Sequence, residues 1–209
     1  MDSIRKRNRA VLLAGLQQLE PRFLLSGYTY NQLAAFPAAG IIYPNAFVVD
    51  GSGNVYGLGV QENGGEGLVF EIPAGSTTPT ILGNFDGPNG NTPNTIVLDS
   101  ATGALYGTAE RGGANGVGDV WTLPHGSSTI SVVASFSASN EGTVGFLGQH
   151  TSLVIDGSGD LFGTIPGGGS NDDGLVYEVP SGGNTIDPLV NFNVNNNGVA
   201  SSGALTAPM

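Results

Sequence analysis

Two short turns in the sequence carry oxygen-bearing side chains at alternate positions, as calcium-binding loops do. The six residues are Asp50, Ser52, Asn54, Asp156, Ser158 and Asp160. Helix-loop-helix calcium sites need further carboxylates and a bidentate Glu, and none follows either turn at the required spacing. The turn in the middle of the chain, residues 100–104, lacks the pattern. We therefore interpret these turns as capped β-hairpins, with calcium as the weaker alternative and no other cofactor expected.

The remaining candidates for chemistry are isolated in the sequence. His125 and His150 are the only histidines, and neither lies in a nucleophile elbow or near a partner with metal-ligand spacing. Asp172 and Asp173 form a small acidic cluster in a glycine-rich loop, which is typical of a solvated loop tip. Trp121 occupies a repeated aromatic position and is expected in the core. We predict no catalytic residues and no enzyme activity.

Composition and charge exclude several function classes. The chain has no Cys, which removes disulfides, thiolate catalysis and Cys-based zinc sites. From Phe23 onward a single basic residue, Arg111, stands against 15 acidic residues, which gives 1 − 15 = −14. Such a surface repels nucleic-acid phosphates, so nucleic-acid binding is not expected. Thirty-five Gly and 12 Pro favour short strands joined by tight turns over long helices.

The most informative feature of the sequence is an internal repeat of three units. In each unit an apolar run leads into an Asp-initiated turn and then an aromatic-Gly pair, at Tyr56-Gly57, Tyr106-Gly107 and Phe162-Gly163. A second aromatic follows 14 or 15 residues later, then a Pro, then a Phe. These positions are Phe70, Trp121, Tyr177, Pro73, Pro124, Pro180, Phe85, Phe136 and Phe192. The repeats cover about residues 46–93, 95–150 and 152–203.

Each unit contains four strand-like runs separated by turn residues. In the first unit they are about 46–50, 54–58, 67–72 and 78–85. Four antiparallel strands in a unit of this length predict an all-β, β-propeller-like array of four-stranded blades. A β-solenoid or a sandwich is the competing architecture. The repeated aromatic and aliphatic positions would form the core between blades, because a single blade cannot bury both of its faces.

Residues at both ends of the repeat region resemble parts of further units. Residues 28–36 look like an orphan fourth strand within the repeat domain 28–209, with Phe36 in the position of Phe85. Residues 204–209 fall where the next unit would begin. Since propellers usually have four to eight blades, we expect these three repeats to be an incomplete part of a longer protein. Self-association and an open partial array are the alternatives.

The repeats resemble the GloVer (Gloeo-Verruco) tandem-repeat family. The family unit reads as an apolar run, D-x-x-G-N-L-Y-G-T, a glycine-rich loop and then G-x-V-F-x-L. Residues 50–57, 105–108 with 116–123, and 156–164 with 174–179 match it, with departures at Leu58 and in the longer turn 100–104. This resemblance implies an extracellular or surface-anchored protein and supplies no catalytic residues.

The first 27 residues form a separate basic segment, expected to be helical or disordered. Its apolar stretch, residues 11–16, is too short to cross a membrane. Residues 19–26, LEPRFLLS, resemble the LEPR-XLL motif found near the N-terminus of many large planctomycete surface and exported proteins. The resemblance implies sorting to the cell surface or secretion in a bacterium.

These observations predict an exported or cell-surface repeat protein that acts as a non-catalytic scaffold or binding module. Its partner would be an unknown protein or carbohydrate, which would bind to the glycine- and asparagine-rich loops. The alternative is an extracellular carbohydrate-active enzyme, a lyase or hydrolase, on a propeller face. Such an enzyme needs two carboxylates facing each other across a cleft.

Overall fold

The computed structural model describes residues 32–34, 36, 40–137 and 152–193. Contacts divide the chain into two units, Met1–Gln32 and Leu33–Met209, and all the described strands lie in the second. The sorting segment 1–27 and residues 204–209 lie outside the described residues. Within the expected orphan strand 28–36, the described residues 32–34 and 36 are not in a strand, since no described strand pairs with them.

The first sheet is antiparallel and contains five strands. They are β1 (Ile41–Ile42), β2 (Phe47–Val49), β3 (Val55–Gln61), β4 (Leu68–Ile72) and β5 (Thr80–Asn84). Both β1 and β2 pair with β3, which pairs on its other side with β4, and β4 pairs with β5. The two short strands together take the place that one long first strand takes in the second sheet.

The second and third sheets each contain four antiparallel strands in chain order. The second is β6 (Asn91–Leu98), β7 (Leu105–Arg111), β8 (Asp119–Leu123) and β9 (Ser131–Ser135). The third is β10 (Ser152–Ile155), β11 (Leu161–Ile165), β12 (Leu175–Val179) and β13 (Asp187–Asn191). The prediction of an all-β fold, with one antiparallel sheet for each repeat, is confirmed. No α-helix occurs in the described ranges, so none of them contains a helix able to cross a membrane.

Consecutive sheets stack through two shared hydrophobic cores. Tyr56, Leu58 and Val69 of the first sheet pack with Ile96 and Trp121 of the second. The opposite face of the second sheet packs on the third in the same way, with Val120, Ala134 and Phe136 against Leu175 and Tyr177. Trp121 is fully buried, as its repeat position predicts. The result is a propeller-like array of three sheets.

One aromatic contact recurs at each of these junctions. Phe85, at the end of the first sheet, meets Trp121 edge-on with ring centroids 5.3 Å apart. Phe136 meets Tyr177 in the same geometry at 5.3 Å. Phe36 meets Phe70 at 5.2 Å and so occupies on the first sheet the position that the repeat alignment assigns to it. Edge-to-face pairs of this kind stabilise by about 0.5–1.5 kcal/mol beyond area burial.

The aromatic-Gly pairs are explained by the register of the second and third strands. Gly107 lies directly opposite Trp121, and Gly163 lies opposite Tyr177. A Cβ atom on either glycine would overlap with the facing aromatic ring. The glycines therefore allow an aromatic side chain of the third strand to approach the backbone of the second.

Candidate functional site

The candidate calcium turns are closed by hydrogen bonds from their own backbone. Asp50 Oδ1 accepts from the N–H groups of Ser52 at 2.9 Å and Asn54 at 2.8 Å, and Oδ2 accepts from the Asn54 side chain at 2.7 Å. Asp156 Oδ1 accepts from the N–H groups of Ser158 at 2.8 Å and Asp160 at 3.0 Å. Desolvation raises the pKa of Asp50, but these bonds outweigh it and hold the pKa below its usual value.

The last residue of each turn is hydrogen-bonded to the segment that directly follows β4 or β12. Asn54 Oδ1 accepts from the N–H of Ala74 at 2.8 Å, and Asp160 Oδ1 accepts from the N–H of Ser181 at 2.7 Å. Among the described residues no three His, Cys, Asp or Glu side chains are grouped closely enough to share a metal ion. The observed geometry is that of capped hairpins, and calcium at these turns stays a prediction.

The other sequence candidates are dispersed. His150 lies outside the described residues. Asp172 is exposed in the loop between β11 and β12, where its φ of 57° is the left-handed conformation that Asp tolerates in turns. Asp173 follows it in the same loop. His125, by contrast, lies in an exposed turn that contributes to a cleft.

That cleft lies between the first and second sheets and has a volume of about 370 Å³. We name it the Tyr56 cleft. Tyr56 and Glu71 line it from the first sheet, and the segment from His125 to Ser128 lines it from the second. Its size lies within the range of about 300–1,000 Å³ that small-ligand sites occupy. Sequence reasoning missed it because its walls come from five separated parts of the chain.

Tyr56 and Glu71 form the fixed wall of the Tyr56 cleft. They lie directly opposite each other on β3 and β4, so the pleat places both side chains on the face turned toward the second sheet. Burial, followed by the negative charge of the neighbouring Glu71, raises the pKa of Tyr56. The pair thus presents a carboxylate beside a largely buried phenol.

His125 forms the opposite wall. Its imidazole packs over Gly103, where an added Cβ would lie 3.1 Å from Nδ1. Gly103 has a φ of 75°, which favours glycine in the turn after β6. His125 is exposed and lines the cleft.

A second cleft of about 410 Å³ lies beside the first. We name it the Asn84 cleft, and Asn84, Asp86, Asn89 and Thr129 contribute to its lining. Ser128 lines both clefts. The segment that carries Ser128 crosses β5 at Gly83, where a Cβ would lie 3.1 Å from the Ser128 carbonyl oxygen. The absence of a side chain at position 83 therefore allows this segment to separate the two clefts.

The electrostatics of both clefts are acidic. Glu71 lies in the first and Asp86 in the second, and no lysine or arginine lines either of them within the described part of the chain. Arg111 is the last residue of β7 and belongs to neither lining. Asp86 is held by Asn89 through two reciprocal hydrogen bonds, with its own N–H donating at 2.8 Å and its carboxylate accepting at 3.1 Å.

A buried carboxylate that sequence reasoning missed lies elsewhere in the second sheet. Asp119 is fully buried, and neither of its carboxylate oxygens has a hydrogen-bond partner in the described structure. Desolvation raises the pKa of Asp119 to about 7. The repeat alignment contained the signal, since the equivalent positions hold Leu68 and Leu175, both fully buried.

Comparisons with known proteins agree with the repeat and the fold. The model of the Gloeobacter/Verrucomicrobia repeat matches residues 22–208. No curated protein matches the chain. A chain in the crystal structure of a nidogen/laminin complex is similar in fold, with a TM-score of 0.51 and 15% identity. The match covers 75% of this chain and 50% of that one, so it spans half of the length of the solved chain.

Proposed function

The chain belongs to the Gloeobacter/Verrucomicrobia repeat family, and on that basis we propose that it is an exported or cell-surface binding module without catalytic activity. The stacked sheets act as blades of a propeller-like scaffold. The scaffold holds loops and inter-sheet clefts in fixed positions for a protein or carbohydrate ligand. Calcium is not required for this function.

The observation that carries the proposal is the Tyr56 cleft between the first two sheets. A wall formed by the paired positions Tyr56 and Glu71 faces the exposed His125 across the cleft. Preorganised polar groups beside an apolar floor are typical of ligand sites. Leu105 and Leu123 supply that floor.

Export is supported by the basic N-terminal segment with its LEPR-XLL-like residues 19–26 and by the acidic repeat region. The acidic repeat region also disfavours nucleic acid as a partner. The test is fractionation of the native host with an antibody against the repeat region. We expect the protein in the envelope or the medium, and we expect it to be retained in the cell when residues 19–26 are replaced by a neutral spacer. Retention of the unaltered chain in the cytoplasm would refute the proposal.

A glycan hydrolase or lyase is the second candidate, and one observation favours it: a carboxylate beside a histidine in a cleft. The cleft contributes only Glu71 as an acid, whereas glycosidases use two carboxylates about 5–10 Å apart. Incubation with a glycan panel followed by mass spectrometry of the products separates the two candidates. We expect every glycan to be recovered intact, and cleavage that Glu71→Gln abolishes would establish the enzyme instead.

A further inference from the structure

We propose that the Tyr56 cleft and the Asn84 cleft form one groove that binds a neutral oligosaccharide. This inference rests on the proposed function as a binding module and names the chemical class of its ligand. The arrangement of the two clefts, the polar groups that line them and their charge support it.

The two clefts are neighbours and share Ser128. Their volumes of about 370 and 410 Å³ are similar. Adjacent compartments of similar size, separated by the segment that carries the exposed Ser128, suit a ligand built from repeated units. A chain of linked sugars can place one part in each compartment and pass over Ser128 between them.

The polar groups of the groove match hydroxyl groups, which both donate and accept hydrogen bonds. Glu71 and Asp86 supply acceptors, and a carboxylate can accept from two neighbouring hydroxyls at once. The Ser128 hydroxyl, the side-chain amide of Asn89 and the His125 imidazole supply donors. Ligand hydroxyls would replace the water that otherwise solvates these groups.

The charge of the groove selects against other ligand classes. Its carboxylates repel phosphorylated, sulfated and uronic-acid ligands, and neither lining contains a lysine or arginine among the described residues. A lysine or arginine side chain would use the acceptors only and would leave the donors unpaired. A neutral polyhydroxylated chain is the class that uses both.

Hydrogen bonds within the protein hold one acidic group of the groove in place. Asp86 and Asn89 hold each other in a closed turn. Groups that are already positioned lose little conformational entropy when a ligand binds. This favours weakly hydrophobic ligands such as sugars, which gain little free energy from burial of apolar area.

The test is titration of the full chain with neutral hexasaccharides of glucose, mannose, xylose and N-acetylglucosamine, followed by calorimetry. Oligogalacturonate and a lysine-rich peptide serve as comparison ligands. We expect at least one neutral series to bind, with affinity rising from disaccharide to hexasaccharide. Glu71→Gln should weaken binding about ten- to hundredfold, because a hydrogen bond to a charged group is lost.

Two further variants make the test specific. Glu178 is the counterpart of Glu71 in the third sheet and lines neither cleft, so Glu178→Gln should leave affinity unchanged. Ser128→Trp should block the passage between compartments and remove the gain from longer chains, while circular dichroism shows that the fold is retained. If no neutral oligosaccharide binds, or only the peptide does, the saccharide inference is overturned. The export experiment tests the proposed function independently of that result.

Discussion

Replacement of the buried Asp119 by leucine should stabilise the protein, and the gain should depend on pH. Leucine is the residue that the first and third repeats place at this position, where Leu68 and Leu175 are fully buried. Gly90 and Gly113 pack directly against the Asp119 side chain, and neither carries a side chain that a leucine would have to displace. Asp119→Leu therefore restores a packing arrangement that the same chain already uses twice.

The magnitude follows from the pKa of the buried acid. Burial raises the pKa of Asp119 from 3.8 to about 7, and one pKa unit corresponds to about 1.4 kcal/mol. The ionised form therefore destabilises the fold by roughly 4 kcal/mol at most. A neutral buried carboxyl without a partner still costs about 1–3 kcal/mol. The leucine variant should gain this smaller amount in acid and the sum of both terms above neutral pH.

The sign is set by proton linkage. The unfolded chain loses the Asp119 proton near pH 3.8, whereas the folded chain keeps it until about pH 7. The contribution of Asp119 to the free energy of unfolding should therefore fall as pH rises between these values and level off above them. Leucine does not titrate, so its advantage over the unaltered chain should grow across the same window.

The assay is urea unfolding of the unaltered chain, Asp119→Leu and Asp119→Asn at pH 4, 5.5, 7 and 8. Differences between chains isolate Asp119, because every other acid is shared. Asparagine removes the titration and keeps the unsatisfied polar group. Asp119→Asn should therefore reproduce the pH dependence of the leucine variant without its gain at pH 4. If the difference between the unaltered chain and the leucine variant is the same at pH 4 and pH 8, the carboxylate is not buried as described.

Three other substitutions test the fold and the Tyr56 cleft. Gly107→Ala should destabilise the folded protein by about 1–3 kcal/mol or prevent folding, because the new Cβ would overlap with the facing indole and a backbone carbonyl. The control in thermal unfolding is Gly157→Ala, whose Cβ would meet nothing within 4 Å. Asp50→Ala should lower the unfolding temperature at pH 7 and have less effect near pH 3. The reason is that the pKa of Asp50 is held low, so the stabilisation by its carboxylate is lost as pH falls. An equal effect at both pH values would contradict the capping role. Glu71→Gln should lower the pKa of Tyr56 in an ultraviolet titration, because the neighbouring negative charge is removed while burial remains, and an unchanged phenol titration would argue against their contact.

The sheet arrangement could be predicted from the sequence because the repeat supplied it three times. Spacing alone identified the Asp-led hairpins, the buried Trp121 and the Phe positions at the end of each unit. Division of the first strand into β1 and β2 could not be predicted. Tyr43, between them, has a φ of 49°, but its counterpart Thr92 has a φ of 57° within the continuous strand β6, so this local conformation does not by itself divide the strand.

Most of the candidate site could not be predicted from the sequence. Tyr56, Glu71 and His125 meet only because adjacent sheets stack, and no spacing rule brings residues of different sheets together. His125 lies in an exposed turn, and that turn lines the Tyr56 cleft. Asp119 was overlooked for a different reason. The repeat is recognised from positions that match, whereas at position 119 a charged residue replaces the buried leucine of the other two units.

The recurrent aromatic contact has a consequence for how such chains change over evolutionary time. The first two units each end in a Phe that meets the next sheet, and the second and third units contain the glycine and aromatic ring that receive it. A duplication or deletion whose boundaries fall in the turns would therefore carry both halves of this contact with it. New neighbours would fit without compensating substitutions, so the number of units could change while the form of these junctions stays the same.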